Sequence, residues 1–316
     1  MTATIHVVVG AGPVGTALAL RLAEGGAAVR TVTRSGGGPQ HPGIERLALD
    51  AADPEALGRA VGGAGVLYNC ANPGSYPRWT RDWPPLAASM LRAAEDSGAV
   101  LVTMGNLYGY GPVDVPMTRD LPLRPSDPKG ELRARMWQHA LDAHRAGRVR
   151  ATEARASDYV GPTAPVSSSI LARYAASTLA GRRATVLSDP DVPHAWSAVD
   201  DIAATLAVLG ADERAWGSPW LVPSSEPVTI RAALRDLARA VGEAEPELAV
   251  APRWLLRASG AVAPLLREVN GILYQFDRPF VVDARETTRT FGVPATPWAQ
   301  VVAATAPVWR DRALRR

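Results

Sequence analysis

Gly10-Ala11-Gly12-Pro13-Val14-Gly15 is the pattern with the most direct chemical meaning in this 316-residue chain. It follows the apolar run Ile5-His6-Val7-Val8-Val9 and precedes an alanine- and leucine-rich segment, Thr16 to Glu24. That context places a tight turn between a buried strand and a helix. Gly10 permits the turn, Gly12 lets the backbone approach a pyrophosphate, and Gly15 lets helix and strand pack closely. Pro13 and Val14 share the same phosphate-facing turn. The first N–H groups of the helix, at its positive dipole end, then face an anion. A second β-rich run, Ala28 to Thr33, ends on Arg34, and no acid stands there to bind a ribose 2′-hydroxyl. A guanidinium at that place suits a 2′-phosphate, so NADP(H) is expected over NAD.

These residues need a sheet to hold them. Ile44 to Leu49, Gly65 to Cys70, Val100 to Met104 and Val149 to Ala156 read as further strands, with helices around Asp53, from Pro84 to Asp96 and from Lys129 to Ala146. Strands alternating with helices predict a Rossmann-type, doubly wound parallel α/β sheet of six strands. Beyond about residue 162 the pattern loosens. Ser167 to Leu179 and Asp201 to Leu209 read as helices, Ala184 to Leu187 and Trp196 to Val199 as strands. The expected division is a dinucleotide-binding core over 1–162 and a smaller, mixed, mainly substrate-binding lobe over 163–316, with some elements returning to the core.

Taken in order, the segments resemble the short-chain dehydrogenase/reductase superfamily in its extended, epimerase/dehydratase-like branch. The resemblance rests on Gly10 to Gly15, Asp50, Asn69-Cys70-Ala71, Leu107-Tyr108-Gly109, Arg155 to Pro162 and Val199-Asp200-Asp201. It implies that Asp50 lies by the adenine, Ala71 along the ribose and diphosphate, and the loop Ser157 to Pro162 beside the nicotinamide. It also implies a homodimer through the helices around 84–96 and 129–146. From the residues alone, Asp50-Ala51-Ala52-Asp53 reads equally well as a helix cap, and the aspartates at 200 and 201 as structural.

The reactive centre departs from that family. The family's Ser or Thr, four residues before Tyr108-Gly109, becomes Met104, with Thr103 its neighbour on the opposite face. The family's Tyr-x-x-x-Lys becomes Lys129-Gly130-Glu131-Leu132-Arg133. Three readings follow. Lys129 could take the acid's role, since like charge from Arg133 one turn away and burial both lower a lysine pKa from ~10.4. A tyrosine could supply the phenol instead, with Tyr108, Tyr110 and Tyr159 nearby. Or hydride transfer is lost, leaving an isomerase, dehydratase or cyclase, or a nucleotide-sensing regulator. Lys129 and Arg133 as plain solvated helix residues remain the bland alternative.

Tyr76, Arg78, Trp79 and Trp83 cluster after the fourth strand and read either as a pocket wall for a flat or apolar substrate or as packing. Tyr110 and Tyr159 join Trp79 as substrate candidates. Trp196, with His194 before it, reads as reaching the pocket or as a core tryptophan, and Tyr274, Phe276 and Arg278 as a lid or as packing. Ser167-Ser168-Ser169 reads as a helix cap, and Cys70, the single cysteine, as a small buried residue rather than a nucleophile. One cysteine and scattered histidines give no metal cluster. A net charge of +3 without a basic stripe argues against nucleic acid. The stretch Trp254 to Leu273 is the nearest approach to a membrane span, but Arg257, Arg267 and Glu268 interrupt it. The amino terminus runs straight into the first strand without a signal peptide. The expected protein is a cytoplasmic, NADP(H)-dependent oxidoreductase acting on a carbonyl or alcohol of a small molecule.

Overall fold

The computed structural model describes residues 4–254, 268 and 270–315. Most of the Trp254 to Leu273 stretch therefore lies outside the described residues. The chain forms two compact units, each built from separate stretches. The first comprises Met1–Gly109, Pro128–Ala156 and Ile202–Val222; the second comprises Tyr110–Asp127, Ser157–Asp201 and Pro223–Arg316.

The first unit is a Rossmann-type α/β sheet. Its early elements are β1 (Ile5–Val9), α1 (Pro13–Glu24), β2 (Ala28–Thr33), β3 (Ile44–Ala48), α2 (Pro54–Val61), β4 (Ala64–Asn69) and α3 (Trp79–Ser97). Then come β5 (Val100–Asn106), α4 (Pro128–Arg145) and β6 (Arg150–Ala156). All strand pairs are parallel, in the order β6-β5-β4-β1-β2-β3. A seventh strand, Pro219–Leu221, adds outside β6, with Pro219 opposite Glu153. Six strands were expected, so this one corrects the sequence reading. Its three residues are too short for any periodicity to show. Val7, Val8, Leu67 and Val102 are fully buried, as strands covered on both faces require. The chain reverses direction across the sheet between β1 and β4, which makes their carboxyl ends the switch point where ligands bind in such sheets.

Two local details shape this unit. α3 begins at Trp79, not Pro84, although Pro84 and Pro85 both lie inside it. Trp79 is buried and donates its indole N–H to the Pro73 carbonyl at 2.9 Å, so packing carries the helix past residues that oppose it. On β6, Glu153 and Arg155 project to one face and form an ion pair at 2.8 Å, with side chains only 5% and 4% exposed. Arg155 lies over the Trp137 ring of α4, and the Glu153 carboxylate packs against Gly105 of β5.

Asp53 caps α2, its carboxylate accepting from the Glu55 and Ala56 amides at 3.0 and 3.2 Å. Asp53→Ala should lower stability by about 1 kcal/mol, read from the urea midpoint. An unchanged midpoint would show that the cap contributes nothing.

In the second unit, strand Trp196–Ala198 pairs in parallel with Asp158–Val160, and Pro193–His194 pairs antiparallel with Val228–Thr229. Ser169 caps the helix Ile170–Thr178 by accepting from the Ala172 amide. The Asp201 carboxylate accepts from the amide and hydroxyl of Thr296 at 2.8 and 2.6 Å, a structural use. No helix among the described residues is long and apolar enough to cross a membrane.

Candidate active site

The glycine turn has the form that its residues dictate. Gly10 adopts φ +96°, and a Cβ there would lie 2.7 Å from the Ala71 amide nitrogen. A Cβ on Gly15 would stand 1.9 Å from the Gly10 carbonyl oxygen, so α1 can approach β1 this closely only without a side chain. Gly12 is the N-cap of α1, with no side-chain cap, and a Cβ built on it meets nothing within 4 Å. The space above the turn is open, and among the described residues no side chain caps the first amides of α1. At the neighbouring end of β4, the Oδ1 of buried Asn69 has no hydrogen-bond partner among the described residues. An open cradle, uncapped amides and an orphaned acceptor fit a dinucleotide with phosphates and ribose hydroxyls.

Arg34 sits exposed in the turn after β2 and makes no hydrogen bond or ion pair among the described residues. The turn is pinned around it: the Gly36 amide donates to Thr33 O, the Thr33 hydroxyl to Gly37 O, and the Gly37 amide to Ser35 Oγ. Asp50 is exposed and accepts from the Ala52 amide at 3.0 Å. Ala71 follows β4, its backbone under the Gly10 turn. Cys70 lies beside Gly15, and burial pushes its thiol up to about 12, so it is no nucleophile near neutrality.

The residues after β4 and β5 gather with the start of α4. Tyr76 lies in a single 3-10 turn, Tyr76–Arg78, just before α3; Tyr108 follows β5. Their phenol oxygens are 3.0 Å apart. Beneath them, Trp79 stacks on Tyr108 at 6.3 Å, meets Tyr76 edge-on at 4.9 Å, and contacts Trp83 at 6.0 Å. Trp79 and Trp83 are buried and form the floor, while Tyr76 and Tyr108 are half-buried. Lys129 and Arg133 are both buried, which excludes the solvated-helix reading. Lys129 Nζ lies 5.8 Å from the Tyr76 ring centroid. Arg133 lies over Trp83 at 4.7 Å and donates to the Met104 carbonyl, so its guanidinium joins α4 to β5. Met104 is buried, and Thr103 is half-buried opposite Asn69 of β4.

Three sequence candidates belong to the second unit. Tyr110 is fully buried. Ser157 is buried, its amide donating to Ser197 Oγ at 3.0 Å. Tyr159 accepts through its carbonyl from the Ser169 hydroxyl. His194, also buried, has Nε2 3.0 Å from Asp158 and 3.5 Å from Ser157 Oγ, with Nδ1 3.2 Å from the Gln275 carbonyl. Phe276 and Phe280 stack on its ring. Sequence reasoning missed this network, whose members come from three separate segments.

A family model described as the NAD dependent epimerase/dehydratase family matches residues 6–217. No curated protein matches the sequence. Among solved structures, a UDP-glucose 4-epimerase from Thermus thermophilus, in complex with NAD, aligns with TM-score 0.77 and 19% identity, over 97% of this chain and 99% of that one. A dTDP-glucose 4,6-dehydratase from Bacillus anthracis, in complex with NAD, aligns with TM-score 0.80 and 16% identity, over 98% and 97%. A UDP-glucose 4-epimerase from Thermotoga maritima, with UDP-glucose, aligns with TM-score 0.80 and 15% identity, over 98% and 99%. At such identities the likeness establishes the shared fold.

Proposed function

The chain belongs to the NAD dependent epimerase/dehydratase family, and on that premise we propose that it is an NADP(H)-dependent oxidoreductase acting on a carbonyl or alcohol of a small organic molecule. The observation that carries this reading is the open cradle over Gly12, with the exposed Arg34 in the turn after the next strand. The uncapped amides of α1 hold the diphosphate. Arg34 pairs with the 2′-phosphate through charge-assisted hydrogen bonds. The nicotinamide supplies a hydride acceptor or donor when bound. Residues at the carboxyl ends of β4 and β5 orient the substrate and exchange its proton.

Arg34→Ala should weaken NADPH binding by about 1–3 kcal/mol, while NADH binding stays at the wild-type level. Calorimetric titration of both nucleotides reads this directly. Equal losses for the two would remove the NADP preference, and no binding of either to the wild type would remove the enzyme reading.

Met104 favours a second reading, because a thioether cannot donate the hydrogen bond that a Ser or Thr gives a substrate oxygen. An isomerase, dehydratase or cyclase without net redox change would turn over substrate while the absorbance of the reduced cofactor stays constant. A stoichiometric change in that absorbance decides for the oxidoreductase.

A further inference from the structure

We propose that the Tyr76–Tyr108 phenol pair is the proton-exchanging group of this enzyme and that Lys129 is its positioning residue, an assignment that rests on the hydride-transfer reading above. The two phenols follow the carboxyl ends of adjacent strands, β4 and β5, and β4 borders the β1 turn that holds the diphosphate. Their oxygens are within hydrogen-bond distance of one another, and both side chains are half-exposed. Lys129 is only 2% exposed, far less than either phenol. A general acid must lie within hydrogen-bond reach of the oxygen it protonates. The phenols, half-exposed, are open to such an approach, whereas Lys129 is buried.

The pairing has a chemical consequence. When one phenol loses its proton, the phenolate accepts a charge-assisted hydrogen bond from the other. The two therefore titrate as a unit, with the first proton released more easily than from an isolated phenol. Lys129, in the first turn of α4 and 5.8 Å from the Tyr76 ring, adds a positive charge that favours the phenolate. Around the pair, α4 also contributes Arg133, which is occupied at Met104, and α3 and its preceding turn contribute the Arg78–Asp82–Arg81 group.

In the reducing direction, the phenol O–H bond breaks and its proton goes to the substrate carbonyl oxygen. The carbonyl carbon gains a hydride from the reduced nicotinamide dinucleotide, and the C=O π electrons move to oxygen to give the alcohol. The phenolate keeps the O–H electron pair, draws a proton from the second phenol, and the second phenol is reprotonated from water.

The test is a spectrophotometric pH titration of phenolate absorbance on the full-length protein without cofactor, beside calorimetric titration of the wild type with NADPH. Of the seven tyrosines, one phenol should ionise at least about one pH unit below the ordinary value of ~10. Tyr76→Phe and Tyr108→Phe should each abolish that step while retaining wild-type circular dichroism. Lys129→Met should move it upward, and Lys129→Arg should restore it. NADPH binding without a low-pH step, or a step that survives in both phenylalanine variants, overturns the phenol pair alone. Failure of the wild type to bind NADPH overturns the hydride-transfer reading and this assignment with it.

Discussion

Gly15→Ala is expected to abolish dinucleotide binding and to destabilise the fold. The added methyl would stand 1.9 Å from the Gly10 carbonyl oxygen. That oxygen belongs to the backbone of a turn pinned by Gly10 N to Val32 O at 2.9 Å and Cys70 N to Val9 O at 2.9 Å. It cannot swing aside as a flexible side chain would, so α1 must move away from β1. Overpacking of this kind costs about 1–3 kcal/mol where the surroundings yield, and a backbone obstacle puts this case at the upper end. The displaced helix also carries away the amides that face the diphosphate, and affinity should fall by more than about 100-fold, ~2.7 kcal/mol. Gly12→Ala separates the two effects. Its methyl meets no protein atom within 4 Å, so this variant should melt like the wild type yet bind NADPH weakly. Thermal melting and calorimetry read both, and a Gly15→Ala protein with wild-type affinity would remove the turn from the binding site.

Glu153→Ala should cost about 3–5 kcal/mol, because it leaves the Arg155 guanidinium buried without its carboxylate. The two side chains are 5% and 4% exposed, so water cannot replace the lost partner. Total stabilities of domains lie around 5–15 kcal/mol, so the variant should sit near the edge of folding. Replacing both residues with leucine should recover much of the loss, since an apolar pair removes the buried charge as well. Urea midpoints of the two variants test this. A Glu153→Ala protein within about 1 kcal/mol of wild type would mean that Arg155 is satisfied elsewhere.

What was legible in the sequence is what short-range geometry determines. The Gly10–Gly15 turn is fixed by six consecutive residues, and its form follows from which positions tolerate a Cβ. The spacing of Lys129 and Arg133 placed them one helical turn apart. Their different roles were not legible, because Arg133 reaches Met104 only through the packing of α4 on β5. The Tyr76–Tyr108 contact was hidden for a related reason. The partners are 32 residues apart, and nothing in either segment announces the other. Tyr108 and Tyr110 show how little residue type alone decides: two positions apart, one is half-exposed and the other fully buried. The seventh strand, only Pro219–Leu221, acquires its identity from the β6 residues it pairs with.

That last strand bears on how the polypeptide emerges from the ribosome. Residues 157–201 are synthesised after β6 but belong to the other unit, so the nascent sheet keeps an open edge at β6 until Pro219–Leu221 has been made. At ~5–20 residues per second this exposure lasts several seconds. During that interval Glu153, Ala154 and Arg155 present unpaired main-chain groups to any neighbouring strand. Slow translation would lengthen that interval and crowding on a polysome would raise the chance of an encounter within it, making yield at high expression a matter of timing as well as of final stability.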